Sequence, residues 1–152
     1  MSAWPGDARG FEIAKDGVGD LVVGFDGTEP SRDALAFAIG LARREQSRLI
    51  IAFIAAPSMF SSLAPDPGTW ESAEQVADEL RTRVTEAAGE FGITWRFEHR
   101  RGDVAHELES LAEETKSDAI VVGRSSSKVS RLLGSVAATL LRTARRPVIV
   151  VP

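Results

Sequence analysis

Cysteine is absent from the 152-residue chain, and histidine occurs only twice. The chain therefore has no disulfide, no thiolate nucleophile and no cysteine-based zinc site, and two histidines are too few for a metal site built on imidazoles. Strong positive charge is also missing. The formal net charge is −4, which argues against nucleic acid as the main partner.

Long apolar runs are missing as well. The longest one, LIIAFIAA at 49–56, is far shorter than the about 20 residues that a membrane span requires. The first residues lack the basic start and apolar run of a secretory signal, so we expect a cytoplasmic protein with no membrane partner. Because residues 1–19 are rich in glycine and charge and have no period, we expect a flexible N-terminal tail there.

The apolar residues that are present suffice for one domain, which we place at 20–152. They make up 43% of the chain. Short continuous apolar runs predict strands, and apolar residues three or four positions apart predict helices. The predicted strands are at 20–26, 48–55, 93–99, 118–123 and 147–151. The predicted helices are at 31–46, 71–91, 103–115 and about 136–144, with a surface loop at 56–70.

The alternation of strands and helices predicts an α/β fold. Parallel neighbouring strands need a long return path, and a helix supplies it. The pattern therefore predicts a five-stranded parallel sheet with helices on both faces, which is a three-layer sandwich. In such sheets ligands bind beyond the carboxyl ends of the strands, where the winding reverses. The loops after the first, second and fourth strands are the candidate site.

Four stretches of the chain carry a resemblance to a known family. They are VVGFDGTEPSRDALAFAI, LIIAFIA, GDVAHELESLAEETKSDAIVVG and a Gly-Ser loop that continues as SVAATLLRTARRPVIVV. Together and in this order they resemble the universal stress protein family over about residues 20–152. The resemblance implies a Rossmann-like fold of the adenine nucleotide alpha hydrolase type, usually a homodimer, with some members that bind ATP and others that bind no nucleotide.

The resemblance also implies where a nucleotide would bind. In the binding members an aspartate after the first strand and backbone groups of the second hold the nucleoside, and a loop written G-x-x-G-x9-G-[ST] holds the phosphates. The matching positions in this chain are Asp26, Ile54, Gly123, Gly134, Ser135 and Val136. The hydroxyls of Ser125 and Ser126 add hydrogen-bond donors in the same loop. The ligand would be ATP or another adenine nucleotide, with Mg²⁺ if it binds.

The loop departs from that pattern in two ways. Ser126 stands where the family has its second glycine, and Gly134 follows Gly123 by eleven positions where the pattern has thirteen. A residue other than glycine in a left-handed conformation costs roughly 1–2 kcal/mol, which weakens a site without abolishing it. Two missing residues shorten the reach of the loop by up to ~7 Å, more than twice a hydrogen-bond length. The shorter loop cannot follow the same path around a triphosphate.

Each candidate also has an alternative structural role. Gly134 and Ser135 can bind an anion through the free N–H groups of a helix start, or Ser135 can merely cap that helix. Asp26 can accept hydrogen bonds from a ribose, or it can bond its own backbone in a turn with Gly27. The sequence leaves both pairs of alternatives open.

The last predicted strand indicates an interface. It is apolar, and an exposed apolar edge would pair with other chains. Pairing with a second copy about a two-fold axis would remove that hazard, and it agrees with the dimers that the resemblance implies. The predicted homodimer is centred on Val148, Ile149, Val150 and Val151.

Three functions remain as hypotheses. The first in rank is a dimeric regulatory module of the stress response that acts through a protein partner and does not bind ATP tightly. The second is a stress sensor that binds ATP or another adenine nucleotide through Asp26 and the loop Gly123–Ser135. An enzyme, at most a slow ATP hydrolase, ranks last because the sequence offers no general base or metal cage.

Overall fold

The computed structural model describes residues 19–56, 67–124 and 136–152. The strands, numbered in chain order, are β1 Asp20–Gly24, β2 Arg48–Ala55, β3 Trp95–Arg101, β4 Ala119–Gly123 and β5 Val148–Val151. The helices are α1 Glu29–Glu45, α2 Pro67–Ala87, α3 Val104–Thr115 and α4 Val136–Thr143. A short 3-10 turn, Ala88–Glu90, follows α2.

The strands form one parallel sheet in the order β3-β2-β1-β4-β5. From β1 the chain winds outwards through β2 to β3, and it then returns to add β4 and β5 on the other side of β1. The winding therefore reverses between β1 and β4. The carboxyl ends of these two strands are the place where ligand sites form in sheets of this kind.

Helices cover both faces of the sheet, so the predicted three-layer α/β fold is confirmed. On one face α1 and α2 pack over Val23, Ile51 and Phe53. On the other face α3 and α4 pack over Val22 and Ile120. The central strands are apolar on both faces because both faces are buried, which explains their continuous apolar runs.

Some element boundaries differ from the predictions. β1 ends at Gly24 because the following residues form a turn, and β3 covers 95–101 instead of 93–99. The prediction of a loop over 56–70 is wrong for its last four residues, since α2 begins at Pro67. Proline suits the first position of a helix, where an N–H has no partner within the helix. The rest of that loop, 57–66, lies outside the described residues, as does the predicted tail up to residue 18.

The two edge strands of the sheet differ in chemistry. Along β3, Arg96, Glu98 and Arg100 alternate with less polar residues. All four residues of β5 are apolar, and each is partly exposed. Charged side chains discourage pairing at an edge, whereas an uncharged apolar edge permits it. Among the described helices none is long and apolar enough to cross a membrane.

Candidate functional site

The turn between β1 and α1 is built on Asp26. Its Oδ1 accepts hydrogen bonds from the backbone N–H of Thr28 at 3.0 Å and from the Thr28 hydroxyl at 2.6 Å. Gly27 has a φ of 82°, a left-handed conformation that favours glycine. Asp26 thus has the turn role that its sequence context allows. Its second oxygen, Oδ2, has no hydrogen-bond partner in the described part of the chain, so a ligand contact there remains a prediction.

Ser31 completes this turn, and the sequence reasoning missed it. The Ser31 hydroxyl donates to the Thr28 carbonyl at 2.9 Å and accepts from the Asp26 N–H at 3.3 Å. The side chain is buried in the first turn of α1. The sequence carries a signal for it, because short polar side chains beside a helix start bond to local backbone groups. The direction of the Asp26 carboxylate therefore depends on Ser31 as well as on Thr28.

Backbone groups of β2 extend past the end of β1. The Ala52 carbonyl accepts from the Phe25 N–H at 2.8 Å on the β1 side, and the Ala55 carbonyl accepts from the Gly102 N–H at 3.1 Å on the β3 side. Even-numbered residues of β2 therefore bond toward β1. Ile54 follows this alternation, but the pairing of β1 with β2 ends at Ala52. Its N–H and carbonyl thus face the crevice at the sheet edge, while its side chain is buried.

Gly123 lies directly beneath the start of α1. A Cβ atom on this residue would be 2.2 Å from the Pro30 carbonyl oxygen and 2.4 Å from the carbonyl carbon. Only glycine allows β4 to end this close to the helix. The contact gives Gly123 a packing role, and its predicted contact with a nucleotide stays a prediction. The contact with Pro30 also brings the turn at Asp26 and the beginning of the next loop to the same edge of the sheet.

The phosphate end of the candidate site is described only in part. Ser125, Ser126, Gly134 and Ser135 lie outside the described residues, and their predicted roles stay predictions. Val136 is described and is the first residue of α4, where it packs partly buried against the core. A helix therefore begins directly after the Gly-Ser pair. Both an anion site and a simple helix cap need that arrangement.

A polar cluster adjoins the crevice at the carboxyl end of β3. The Glu74 carboxylate of α2 accepts a hydrogen bond from Arg101 and lies 3.5 Å from Nδ1 of His99. The His99 ring stacks on Phe53, with 5.4 Å between the ring centroids. The Arg101 guanidinium, through that hydrogen bond, holds the pKa of Glu74 below its usual value. Within the described ranges no three acidic or histidine side chains converge as the ligands of one metal ion would.

Comparison with known proteins gives consistent matches. A model of the universal stress protein family matches residues 18–152. A universal stress protein of Methanocaldococcus jannaschii is 31% identical over 137 residues, which cover 86% of this chain and 80% of that protein.

Solved structures match over a similar length. A universal stress protein from Lactobacillus plantarum superposes with a TM-score of 0.72 at 23% identity, covering 88% of this chain and 97% of that one. A universal stress protein in complex with cAMP superposes with a TM-score of 0.65 at 28% identity, covering 88% of this chain and 96% of that one. The first of these likenesses establishes the fold alone.

Proposed function

Since the chain belongs to the universal stress protein family, we propose that it is a dimeric regulatory module of a stress response and that it does not hold ATP tightly. Occupancy of its surfaces by a protein partner, and not catalysis, would then carry the signal. The proposal has two parts, one about the crevice and one about the dimer.

The observation that carries the first part is the length of the loop after β4. Gly134 follows Gly123 by eleven positions, so the loop is two residues shorter than the family's ATP loop. The described groups at its start already have structural partners. Gly123 accommodates Pro30, and the Asp26 Oδ1 atom holds the turn through Thr28. A loop with up to ~7 Å less reach would leave the outer phosphates of ATP without their backbone donors.

A second candidate function is supported by the nucleoside end of the crevice. The Ile54 N–H and carbonyl form an adjacent donor and acceptor, which is the pattern that the edge of an adenine base can pair with. Asp26 Oδ2 has no hydrogen-bond partner among the described residues, and at the same edge of the sheet it can accept a hydrogen bond from a ribose hydroxyl. The relative solved with cAMP holds a nucleotide with a single phosphate. Such a ligand needs less of the loop than ATP does, so the second candidate is a sensor of an adenine nucleotide with one phosphate.

The two candidates are separated by identifying and titrating the ligand. The purified full chain is denatured, and its supernatant is examined by mass spectrometry; the protein is also titrated with ATP, AMP and cAMP by calorimetry. We expect no copurified ATP and no heat with ATP. Stoichiometric copurified ATP would overturn the first candidate, and binding of AMP or cAMP in preference to ATP would establish the second.

Substitutions at the crevice test whether the titrated nucleotide binds there. If AMP or cAMP binds, Asp26→Ala should weaken binding by about tenfold or more, because a hydrogen bond to a charged group contributes roughly 1.5–3 kcal/mol. Asp33→Ala is the matched control, since it removes an exposed carboxylate from α1. Equal affinities for the two variants would place the ligand elsewhere.

The dimer is supported by the contrast between the two sheet edges. The β3 edge carries Arg96, Glu98 and Arg100, and charged side chains discourage pairing at an edge. The β5 edge has only apolar side chains, each partly exposed. An unpaired apolar edge is a hazard that a two-fold contact removes. We therefore propose that two copies pair through β5.

The oligomeric state tests this part. Ile149→Lys places a charge in the proposed contact, so the folded variant should sediment as a monomer where the wild type sediments as a dimer. Ile93→Lys is the matched control, because Ile93 is also a partly buried isoleucine packed against the same core and lies just before β3, at the other side of the sheet. A dimeric Ile149→Lys protein would show that β5 is not the interface.

A further inference from the structure

The two oxygens of the Asp26 carboxylate differ in their hydrogen bonding. Oδ1 accepts from the Thr28 N–H at 3.0 Å and from the Thr28 hydroxyl at 2.6 Å, whereas Oδ2 has no hydrogen-bond partner among the described residues. We propose that Thr28 thereby makes the crevice selective for nucleotides whose sugar offers a single free hydroxyl, as the sugars of deoxynucleotides and 3′,5′-cyclic nucleotides do. The inference rests on the second candidate function, in which Asp26 contacts the sugar of a mononucleotide.

A carboxylate can hold a ribose by two hydroxyls or by one. Each of its oxygens has about two acceptor sites, and the sites of one oxygen point in widely different directions. The sites that run parallel belong to different oxygens, as in the paired bonds between a carboxylate and arginine. The neighbouring 2′- and 3′-hydroxyls of a ribose therefore need both oxygens. When one oxygen is taken, only one hydroxyl gains a direct partner.

Thr28 occupies both acceptor sites of Asp26 Oδ1. Its backbone N–H takes one site, and its hydroxyl takes the other. The hydroxyl bond, at 2.6 Å, has the length of a hydrogen bond strengthened by the charge of the acceptor. A second sugar hydroxyl would have to displace this bond to reach Oδ1. The sugar is therefore left with Oδ2 and with one hydroxyl bonded.

The hydroxyl of Thr28 makes this contact in place of the one that its position favours. Thr28 is the N-cap residue of α1, where a threonine hydroxyl commonly accepts a hydrogen bond from the first helical turn. The Thr28 side chain makes no such bond. Pro30, in that first turn, has no N–H to donate. The hydroxyl is directed at Asp26 instead, and this leaves the carboxylate with one open oxygen.

Thr28 is held in this position by its neighbours. Its carbonyl accepts from the Ser31 hydroxyl at 2.9 Å and from the Arg32 N–H at 2.9 Å. Threonine is branched at Cβ, so its side chain has few rotamers. A Leu80 methyl group of α2 packs over the turn, since a Cβ on Gly27 would be 2.8 Å from it. A ligand that required both carboxylate oxygens would have to break this arrangement.

Calorimetric titration of the full chain with AMP, 2′-deoxy-AMP and 3′-deoxy-AMP tests the proposal. These compounds share the base and the phosphate and differ only in their sugar hydroxyls. At least one deoxy compound should bind within about threefold of AMP, because it keeps the hydroxyl that Oδ2 accepts. If both carboxylate oxygens were open, loss of either hydroxyl would weaken binding by about tenfold or more. Weakening of both deoxy compounds by that much would overturn the inference.

Substitution of Thr28 tests its part in the selectivity. Thr28→Val keeps the shape of the side chain and the backbone N–H but frees one acceptor site of Oδ1. The ratio of the dissociation constant of the better deoxy compound to that of AMP should then rise by about fivefold or more, because the second hydroxyl of AMP gains a partner. Thr28→Ser restores a hydroxyl and should give the wild-type ratio. Thr85→Val is the matched control, since the Thr85 hydroxyl is exposed on α2 and donates to the Arg81 carbonyl of the same helix.

The outcomes separate this inference from the function on which it rests. If AMP binds and Asp26→Ala weakens its binding, while Thr28→Val leaves the ratio unchanged in a protein that circular dichroism shows to be folded, the second candidate function holds and this inference is overturned. If neither AMP, its deoxy forms nor cAMP binds, the second candidate function fails and the inference falls with it. A ratio near one in the wild type and in Thr28→Ser that rises in Thr28→Val establishes the inference.

Discussion

At the scale of single residues, the candidate site depends on short polar side chains and on glycines that permit close contacts. Thr28 donates two hydrogen bonds to the Asp26 carboxylate, and Ser31 bonds the backbone of the same turn. Gly123 allows the start of α1 to rest on β4 through Pro30. The geometry of the crevice therefore depends as much on these packing positions as on the groups that would touch a ligand.

The replacement Gly123→Ala should destabilise the fold. Its new Cβ would be 2.2 Å from the Pro30 carbonyl oxygen, so α1 would have to move. Overpacking of this kind costs about 1–3 kcal/mol, and urea denaturation would measure the lower free energy of unfolding. Gly89→Ala is the control, since a Cβ there meets nothing within 4 Å. An unchanged free energy of unfolding for Gly123→Ala would mean that the start of α1 can move without destabilising the fold.

Sequence alone could predict some of these residue roles and not others. The turn at Asp26 and Gly27 is local, so the order of the residues contains its signal. The contact of Gly123 with Pro30 joins two distant parts of the chain, and only the assembled sheet reveals it. The family resemblance places Gly123 in a phosphate-binding loop, and a glycine needed for packing looks the same in a sequence as a glycine needed for a ligand.

At the scale of elements, β3 is attached to α3 by charge pairs in addition to apolar contacts. Arg100 of β3 donates from Nη1 to Glu114 Oε1 at 2.9 Å, and it bonds the other carboxylate oxygen as well. The hydrogen bond to Arg100 holds the pKa of Glu114 below its usual value of 4.5. Because Glu114 is exposed, solvent screens this pair, and it tunes stability without dominating it.

Protonation of Glu114 should therefore contribute to the loss of stability as the pH falls. A carboxyl whose pKa is lower in the folded state stabilises the fold above its unfolded pKa, and this stabilisation is lost as the pH falls through the folded pKa. Glu114→Gln should lower stability at pH 7 and flatten the decline below about pH 4.5. Glu86→Gln is the control, because Glu86 is exposed and makes no ion pair among the described residues. If the free energies of unfolding of the wild type and of Glu114→Gln fall in parallel with pH, the ion pair of Glu114 does not contribute to acid sensitivity.

Element positions were predictable where the hydrophobic period was strong. The predicted range 48–55 is β2 as observed, and Asp103 caps α3 by accepting from the His106 N–H at 2.9 Å. The start of α2 was missed because its first turn contains proline and glycine, which are read as loop residues when no tertiary contact is known. The spacing of apolar residues identifies the middle of a helix or strand more reliably than its ends.

At the scale of the whole molecule, the proposed dimer predicts a link between concentration and stability. If folded chains associate and unfolded chains do not, mass action raises the unfolding midpoint as protein concentration rises. We expect the thermal midpoint of the wild type to rise over a hundredfold range of concentration and that of Ile149→Lys to stay constant. A constant midpoint for the wild type over that range, with no dimer by sedimentation, would exclude the association.

The layered fold and the order of its elements followed from the sequence, because alternating strands and helices leave few arrangements of a sheet. The sheet order shows the winding reversing between β1 and β4, and a ligand site at their carboxyl ends stays a prediction. The part that the loop between β4 and α4 plays in ligand binding stays a prediction, because the length of a loop does not define its path through space.

The difference between the β3 and β5 edges limits how many copies of the chain can join along the sheet. Of the two edge strands of the sheet, β3 carries arginine and glutamate and β5 is apolar, so β5 is the edge at which we propose that a second copy pairs. In such a dimer both β5 edges would be paired and only the charged β3 edges would stay open, so the sheet would not extend into a fibre. If two copies pair through β5 as proposed, the assembly is self-limiting at two copies.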